Sequence, residues 1–435
     1  MTYFTTNDPD GDSPWDEPEH RSTLDVELEE IDLIVRRARS AAAEQDLLFH
    51  RMLQRAFTEP DPWLGPDPTL DPAWSDPRGR SVAEIRAYRS AMGVRSAAAD
   101  LGVRVSLSDT QIRHRAHRAE ILSTRLPLLW QQCLLGLVPD QNTAFAAQLA
   151  ATLPDDDPGA WSAFDNALAD IACRLAPGRF RRRARAARER AHSESLSARH
   201  ARAAADRRVT FDPSLDGMAE IYALVPATDA AAIENSIEGR ARHLAALEGE
   251  ERTLAQIRAD VLVDLLTRES DDVKSGTSAT VHITIPAMTL LGTSGESAEP
   301  ATLAGYGPIP LDTALRLAAD APQWRRVLTD PFTGTVLDVE RRAYRVPADL
   351  RRWLGVRYPT CVFPGCIRSA RSCDIDHRQR WADGGPTSSI NLTPECASHH
   401  PVKDESLWSL DRIPHGGLRW TTPTGATTIE DLPPF

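Results

Sequence analysis

The sequence predicts an α+β protein in which a mainly helical N-terminal region, residues 23–266, is followed by a small cysteine-rich module. Three observations support this prediction. Apolar residues recur every three to four positions through long parts of the first region, as on amphipathic helices. Residues 280–286 alternate and are rich in β-branched side chains, which is typical of a strand. Four of the six cysteines lie between residues 361 and 396, a density that favours a metal site.

Length and charge limit the classes of protein. A chain of 435 residues is expected to form two or three units. The net charge of −12 argues against a protein that coats nucleic acid with its whole surface. The charge is uneven, because residues 179–208 carry eleven arginines against three acidic residues. This basic stretch has two interpretations, a solvated helix surface or a surface that contacts a nucleic-acid backbone.

The chain has the features of a cytoplasmic protein. It begins with an acidic, polar segment in place of a signal peptide, and no apolar run approaches the roughly 18 residues of a membrane span. Cysteines clustered in such a chain favour metal binding over disulfides. We therefore expect no membrane partner.

The N-terminal region can be divided by its breakers. Residues 1–22 are predicted to be disordered, and a helix should run from Ser22 to about residue 57. Six prolines make residues 59–80 a loop or linker. Helices are predicted over residues 81–176 with breaks near Pro139 and Pro154, and over 229–266 with a break near Gly249.

One segment of this region has two interpretations. Residues 110–122 could form a recognition-like helix that follows Leu107-Ser108-Asp109, or an ordinary amphipathic helix with a solvated basic face. Its basic side chains are Arg113, Arg115 and Arg118.

Four further segments complete the predicted organisation. Residues 270–278 form a polar linker, and residues 279–348 form a small mixed α/β connecting segment. The cysteine-rich module spans 350–412, and residues 413–435 are a C-terminal extension.

The cysteine and histidine spacing predicts a structural zinc site. Cys361-x4-Cys366 and Cys396-x2-His399 form two close ligand pairs. Thr393 and Pro394 are suited to begin a helix, on which Cys396, His399, His400 and Lys403 would share one face. Cys373 is expected to be a buried strand residue outside the zinc site.

Residues beside these ligands can supply the groups that phosphodiester hydrolysis requires. His377 can be neutral near pH 7 and act as a general base. Asp376 and His400 can hold a divalent cation, and Asn391 can fix the loop and orient His377. Because adjacent strand residues face opposite sides, Asp376 and His377 can serve one site only if the strand bends or ends there.

Asp376-His377, Asn391 and His400 resemble the HNH, or ββα-metal, nuclease motif in its zinc-ribbon-bearing form. The resemblance to actinobacterial HNH endonucleases with a long helical N-terminal domain of unknown function is close over about residues 250–428. The further segments that carry it are Gly305–Pro310, Asp330–Gly334, Cys361–Cys366 and Trp420–Gly425.

The resemblance implies a small zinc-containing ββα-metal nuclease module and a metal-dependent endonuclease that cleaves DNA. It also implies a structural Zn²⁺ and a catalytic divalent ion, Mg²⁺ or Mn²⁺, with Ni²⁺ and Zn²⁺ as alternatives. By position, His377 is the general base, Asp376 and His400 bind the catalytic ion, and Asn391 positions the site.

Two departures from the family pattern bear on phosphate contacts. Pro401 falls inside the expected helix, where proline is costly. Arg378-Gln379-Arg380 replaces a more apolar stretch, so Arg378 and Arg380 are candidate nucleic-acid contacts. Lys403, three residues after His400, is a third candidate. Trp353, Trp381, Trp408 and Trp420 are expected to pack around the zinc module.

The sequence leaves alternatives open for function. The first hypothesis is an HNH endonuclease that acts on DNA, with RNA as a variant substrate and with self-association through the helical region. The other is a non-catalytic zinc-containing DNA-binding regulator or interaction module. Salt-dependent DNA binding discriminates an interaction module from a nucleic-acid binder.

Overall fold

The computed structural model describes residues 23–267, 283–285, 289, 300–303, 306–319, 346–413 and 417–430. The predicted disordered tail, the 270–278 linker and Asp330–Gly334 lie outside the described residues. Within the described residues, no helix is both long and apolar enough to cross a membrane.

The helices account for most of the N-terminal half. In chain order they are α1 (Thr23–Thr58), α2 (Asp61–Leu64), α3 (Val82–Val105), α4 (Asp109–Arg125), α5 (Pro127–Leu134), α6 (Asp140–Ala150), α7 (Pro158–Ala172), α8 (Pro177–Ala191), α9 (Leu196–Ala205), α10 (Ala227–Ala245), α11 (Leu254–Thr267), α12 (Leu311–Ala319), α13 (Ala348–Arg357) and α14 (His400–Glu405). The predicted breaks near Pro139, Pro154 and Gly249 are confirmed.

The strands form small antiparallel sheets. They are β1 (Arg208–Pro213), β2 (Ala219–Leu224), β3 (Ile283–Thr284), β4 (Ala301–Leu303), β5 (Gly307–Ile309), β6 (Asp374–His377), β7 (Leu392–Glu395), β8 (Ser409–Arg412), β9 (Leu418–Thr421) and β10 (Thr427–Glu430). Their orders are β1-β2, β3-β4-β5, β6-β7 and β10-β9-β8. The predicted combination of a mainly helical region with small sheets is therefore an α+β architecture.

Two segments differ from the prediction. The β1–β2 hairpin lies inside the region predicted to be helical. Its strands are exposed on both faces, and the alternation of Val209 and Phe211 with polar residues was the signal that the prediction missed. Residues 59–80 are not wholly a loop, since Pro62 is in the first turn of α2. Proline is tolerated there because the first amides of a helix have no intrahelical acceptor.

The chain folds into two compact units that are discontinuous in sequence. One contains residues 1–59 and 109–193, and the other contains residues 60–108 and 194–435. The predicted helical domain 23–266 is thus divided between the two units, and α3 belongs with the C-terminal module.

The first unit has a helical core around Leu122, Leu129, Phe164, Leu168 and Phe180, all fully buried. The buried Asp165 accepts hydrogen bonds from the backbone N–H groups of Leu128 (2.8 Å) and Leu129 (3.0 Å) and so caps the start of α5.

The arginines of α4 have partners inside this first unit. Arg115 Nε and Arg118 Nε donate to Asp46 at 2.6 and 2.8 Å, and Arg113 pairs with Asp109 at 2.9 Å. These contacts favour an ordinary amphipathic helix over a recognition-like one.

The second unit has a core that joins α3 to the cysteine-rich module. Met92 and Ala99 of α3 pack in one cluster with Phe363, Trp408 and Trp420. Trp408 Nε1 donates to Ser96 Oγ at 3.1 Å. A helix that precedes the module by about 250 residues therefore completes its hydrophobic core.

The segment after residue 412 is part of this module. Strand β8 pairs with β9, and the fully buried Trp420 donates from Nε1 to the Val362 carbonyl at 2.8 Å. The predicted boundary at 412 cuts through this sheet. Trp353, Trp408 and Trp420 are buried as predicted, whereas Trp381 is 37% exposed and packs edge-on against the His377 ring.

Candidate metal centre and active site

A hairpin and a short helix position the candidate site. Strand β6 pairs with β7 in the register Asp374↔Glu395 to His377↔Leu392. Residues 378–391 connect the two strands, and α14 follows after a turn. Asp376 and His377 are both paired in this ladder, and the Arg378 N–H still donates to the Asn391 carbonyl at 2.7 Å, so the bend that the sequence argument requires is not observed at these two residues.

The prediction that a helix begins at Thr393 and Pro394 is wrong. Leu392–Glu395 is strand β7, held by its ladder to β6, and the helix begins only at His400. Pro401 is therefore in the first turn of α14, where its missing N–H breaks no helical hydrogen bond. The expected kink at Pro401 does not arise.

Cys361, Cys366, Cys396 and His399 converge as predicted. One ligand atom from each lies within 4.8 Å of all the others. His399 Nδ1 is 3.7 Å from Cys361 Sγ and 3.4 Å from Cys396 Sγ. Tetrahedral zinc with Zn–S bonds of about 2.3 Å separates its ligand atoms by about 3.8 Å. The cluster can therefore bind a metal ion such as zinc.

The surroundings of this cluster favour a structural role. Cys361, Cys396 and His399 are buried, and the His399 ring stacks on Phe363 with centroids 4.3 Å apart. Hydrogen bonding to Cys366 and Cys396, together with burial, raises the pKa of the Cys361 thiol far above its ordinary value. Cys373 is buried and outside this ligand set, as predicted, but it precedes β6 and is not a strand residue.

A second cluster gathers harder donors. Asp376, His400 and Asp404 each present one ligand atom within 4.8 Å of the others. His400 Nε2 is 3.4 Å from a carboxylate oxygen of Asp376 and 3.4 Å from one of Asp404. The side chains are 21%, 31% and 30% exposed, so solvent reaches all three. Asp376 and His400 thus meet as predicted.

Sequence reasoning missed Asp404. The available signal was its spacing, since residues four apart on a helix are neighbours and His400 and Asp404 both lie on α14. Hydrogen bonds to Asp376 and Asp404 raise the pKa of His400 to about 10. Although burial opposes it, hydrogen bonding to His400 and the nearby Lys403 hold the pKa of Asp376 well below its usual range. The two acids therefore favour the protonated form of His400, and an ion that bound this imidazole would have to displace its proton.

Lys403 does not lie where a nucleic-acid contact requires. Its side chain is 7% exposed and its ammonium contacts Asp376, with Glu395 Oε1 at 3.0 Å and Asp404 Oδ1 at 3.6 Å. Glu395 is fully buried, and burial raises its pKa to about 7 even with Lys403 beside it. The structure disfavours the predicted phosphate contact of Lys403, because its ammonium is engaged by the buried Glu395 and the half-buried Asp376 and Asp404.

His377 is buried beside the carboxylate cluster. Its Nε2 is 3.0 Å from Oγ1 of the fully buried Thr387, and its ring centroid is 6.0 Å from that of Trp381. Burial lowers the pKa of His377 below its ordinary value; the charge of Asp376 opposes this shift, and the charge of Lys403 adds to it. The imidazole is therefore neutral at pH 7, which a general base requires.

Asn391 fixes the connecting loop, as expected. Its Oδ1 accepts from Gln379 N at 2.9 Å, and its Nδ2 donates to the carbonyls of Gln379 and Pro386 at 3.0 Å each. Gly385 permits this arrangement, because a Cβ there would lie 2.0 Å from Gln379 O and 2.8 Å from Asn391 Nδ2. Orientation of the His377 ring involves Thr387, a contact that sequence reasoning missed.

The two candidate arginines differ in environment. Arg380 is exposed, and its Nη2 donates to the carbonyl of Asp404 at 2.6 Å. Arg378 is partly buried, and its Nε has no hydrogen-bond partner among the described residues. Their predicted contacts with nucleic acid stay predictions.

Comparison with known proteins finds relatives that are themselves uncharacterized. Uncharacterized protein MT2160 of Mycobacterium tuberculosis (strain CDC 1551 / Oshkosh) is 29% identical over 266 residues. Uncharacterized proteins Rv2100 and Rv3776 of Mycobacterium tuberculosis (strain ATCC 25618 / H37Rv) are each 29% identical, over 266 and 252 residues. Each match covers 50% of this chain and 47% of the relative.

The chain thus spans about half the length of the curated relatives it matches. No solved structure is significantly similar to it. A family model described as "Domain of unknown function (DUF222)" matches residues 78–357, which end just before the first cysteine of the metal cluster. That match covers more than half of the chain, and the chain therefore belongs to the DUF222 family.

Proposed function

We propose that this protein is a metal-dependent HNH endonuclease that hydrolyses phosphodiester bonds of DNA. The observation that supports this most strongly is the convergence of Asp376, His400 and Asp404 beside a buried, neutral His377. Two carboxylates and an imidazole suit Mg²⁺, Mn²⁺, Ni²⁺ or Zn²⁺. When bound there, a divalent ion would stabilise negative charge on the phosphate and on the leaving oxygen.

The side chains divide the remaining work. His377 accepts a proton from the attacking water, whose oxygen forms the new bond to phosphorus as the bond to the leaving oxygen breaks. Thr387 holds the His377 ring through the 3.0 Å contact at Nε2. Asn391 keeps the 378–386 backbone in place, so the ring and the carboxylates keep their separation.

The Cys₃His cluster lies next to this site along the chain. Cys396 and His399 lie in the turn that joins β7 to α14, so a zinc ion bound there would fix the start of α14. His400 is the next residue, and its position depends on that turn. The buried Lys403 ammonium contacts Asp376 and also lies 3.0 Å from Glu395 Oε1, so it links these two carboxyl groups.

Cleavage of supercoiled plasmid tests the proposal. The zinc-loaded 435-residue chain is assayed without added divalent ion and with Mg²⁺, Mn²⁺ or Ni²⁺, beside His377→Ala. The control is His243→Ala, an exposed histidine on α10. We expect ion-dependent nicking or linearisation by the parent and the control, and a loss of about 10²- to 10⁴-fold in His377→Ala.

Two results would count against the proposal. Cleavage that persists in His377→Ala would indicate a contaminant or a different base. No cleavage of duplex DNA, single-stranded DNA or RNA by folded, zinc-loaded protein in any of the ions would favour the non-catalytic DNA-binding alternative.

A further inference from the structure

The Lys403 ammonium lies inside the candidate ion site. Its side chain is 7% exposed, and its Nζ contacts Asp376 Oδ2 and lies 3.6 Å from Asp404 Oδ1. Asp376 Oδ2 is also the oxygen that faces His400 Nε2, at 3.4 Å. One carboxylate oxygen is therefore shared between the lysine and the histidine.

A divalent ion held by Asp376 and His400 would use that same oxygen. Metal–ligand bonds of about 2.1 Å place neighbouring ligand atoms about 3.0 to 3.4 Å apart. The separation of Asp376 Oδ2 from His400 Nε2 agrees with this, so the ion fits between them. The ion and the ammonium would both border one oxygen, and would therefore lie roughly 4 to 5 Å apart. Two cations that close repel each other, although the solvent that reaches the cluster weakens the repulsion.

A buried carboxyl group anchors the ammonium on another side. Glu395 is fully buried, and its Oε1 lies 3.0 Å from Lys403 Nζ and accepts a hydrogen bond from Thr393 Oγ1 at 3.1 Å. Thr393 and Glu395 belong to β7, which the ladder to β6 holds in place. Withdrawal of the lysine would leave a buried carboxyl group without its cation, which is costly. Lys403 therefore stays in place when an ion arrives.

In the ion-free protein the ammonium acts as a substitute for the ion. Asp376 and Asp404 both approach His400 Nε2 to 3.4 Å, so their carboxylates are close enough to repel each other. The positive charge of Lys403 lies beside both of them and offsets this repulsion. The carboxylates can thus hold their positions before an ion binds.

We propose that Lys403 is a positioning residue that competes with the divalent ion. It stabilises the carboxylates of the ion-free protein, and it lowers the affinity of Asp376, His400 and Asp404 for an ion. The inference rests on the proposed function in one respect, since it takes these three residues as the ion site. It does not require that the bound ion be used for cleavage.

Calorimetric titration of Mn²⁺ into the zinc-loaded 435-residue chain, at one pH, tests the proposal. The variants are Lys403→Met and Lys403→Gln, which remove the charge with an apolar and a polar side chain. Arg419→Gln is the control, because Arg419 is a 48% exposed cation on β9 of the same module. We expect Mn²⁺ to bind both variants about 10- to 100-fold more tightly than the parent and the control.

Thermal unfolding gives a second measurement on the same proteins. Without added ion, both variants should unfold at a lower Tm than the parent, because the carboxyl groups lose their cation. Saturating Mn²⁺ should then raise the Tm of the variants by more than it raises that of the parent. Zinc content and circular dichroism confirm that each variant is folded before its affinity is compared.

The parent itself provides a measurement that needs no variant of Lys403. Lys274 and Lys403 are the only lysines in the sequence, so ¹⁵N-labelled lysine gives two side-chain signals, and Lys274→Arg assigns them. Addition of Mg²⁺ should shift the Lys403 ammonium signal while it stays protected from solvent exchange. Loss of this signal by rapid exchange would show that the ion expels the lysine, which contradicts competition at a shared oxygen.

Other results also overturn the proposal. Equal or weaker Mn²⁺ binding by the folded variants would show that Lys403 supports the ion site and does not oppose the ion. Absence of Mn²⁺ binding in the parent and both variants would remove the ion site and the proposed function together. Tighter binding by the variants, with no cleavage by the parent, would support the role of Lys403 and count against the proposed function alone.

Discussion

The two side-chain clusters of the C-terminal module use neighbouring residues for different chemistry. His399 belongs to the Cys₃His cluster, and His400 belongs to the cluster with Asp376 and Asp404. The first cluster offers mainly thiol ligands, mostly buried, and supplies all four donors that tetrahedral zinc needs. The second offers carboxylates and an imidazole that are 21–31% exposed, and supplies three. Closed, soft sites suit structural metals, whereas open, hard sites leave room for substrate.

The difference arises at the turn between β7 and α14. Residues 397–399 form the turn, and α14 begins at His400. Because the chain changes direction there, two adjacent histidines serve separate sites. The comparison therefore predicts that damage to the Asp376, His400 and Asp404 cluster leaves the Cys₃His cluster intact, whereas damage to the Cys₃His cluster disrupts both.

The largest effect is expected from damage to the Cys₃His cluster. Cys361→Ser should lower the zinc content from about one ion per chain to near zero and unfold the module, because structural zinc contributes directly to folding. Cys373→Ser is the matched control, as Cys373 is equally buried but outside the ligand set. Metal analysis and circular dichroism measure both. Full zinc content and an unchanged unfolding curve in Cys361→Ser would contradict the assignment.

A smaller effect is expected from Asp404→Asn. The amide keeps the shape but removes one charged donor, so Mn²⁺ should bind about 10- to 100-fold more weakly while zinc content and Tm stay near those of the parent. Titration of Mn²⁺ by calorimetry measures the change, and Asp411→Asn on the exposed face of β8 is the control. Unchanged Mn²⁺ affinity would exclude Asp404 from the ion site.

Thr387→Val should change cleavage less. The substitution keeps the shape and removes the hydroxyl 3.0 Å from His377 Nε2, which is worth about 1 kcal/mol, or about fivefold in rate. Thr427→Val in β10, where the side chain is exposed, is the control. Single-turnover cleavage at saturating Mn²⁺ measures the rate. An equal rate in Thr387→Val would show that this contact does not orient the base.

The pH profile should show a modest dependence near neutrality. The base acts when neutral, and the pKa of His377 is lowered by burial. At saturating Mn²⁺, so that the protonation of His400 does not limit ion binding, the cleavage rate should therefore rise with pH to a plateau with a midpoint below 6.5. Single-turnover rates from pH 5 to 8, with zinc content checked at each pH, measure this. A rise that continues well above pH 7 would indicate a base with a higher pKa.

Local spacing predicted much of the site. The intervals Cys361-x4-Cys366 and Cys396-x2-His399 place ligand atoms close together through short turns, so their grouping required little tertiary information. The long helix α1 was likewise readable from its apolar spacing and its polar start. The meeting of Asp376 and His400 was inferred from the resemblance, and the structure brings them together.

Contacts between distant segments could not be predicted from the sequence. Residues 392–395 look suited to a helix start, but pairing with β6 makes them a strand, because the ladder and the burial of all four residues outweigh local preference. Thr387 and Glu395 carry no signature of their own, and they matter only because the hairpin and α14 bring them beside His377 and Lys403.

The sequence by itself determined the α+β class, the positions of most helices, and the donor types of the two clusters, since these depend on composition and short-range spacing. Tertiary structure alone decided that α3 completes the core of the module and that the Lys403 ammonium is buried in ion pairs with Asp376, Glu395 and Asp404. These facts depend on which distant side chains share a low-dielectric interior, and that choice is made only when the whole chain packs.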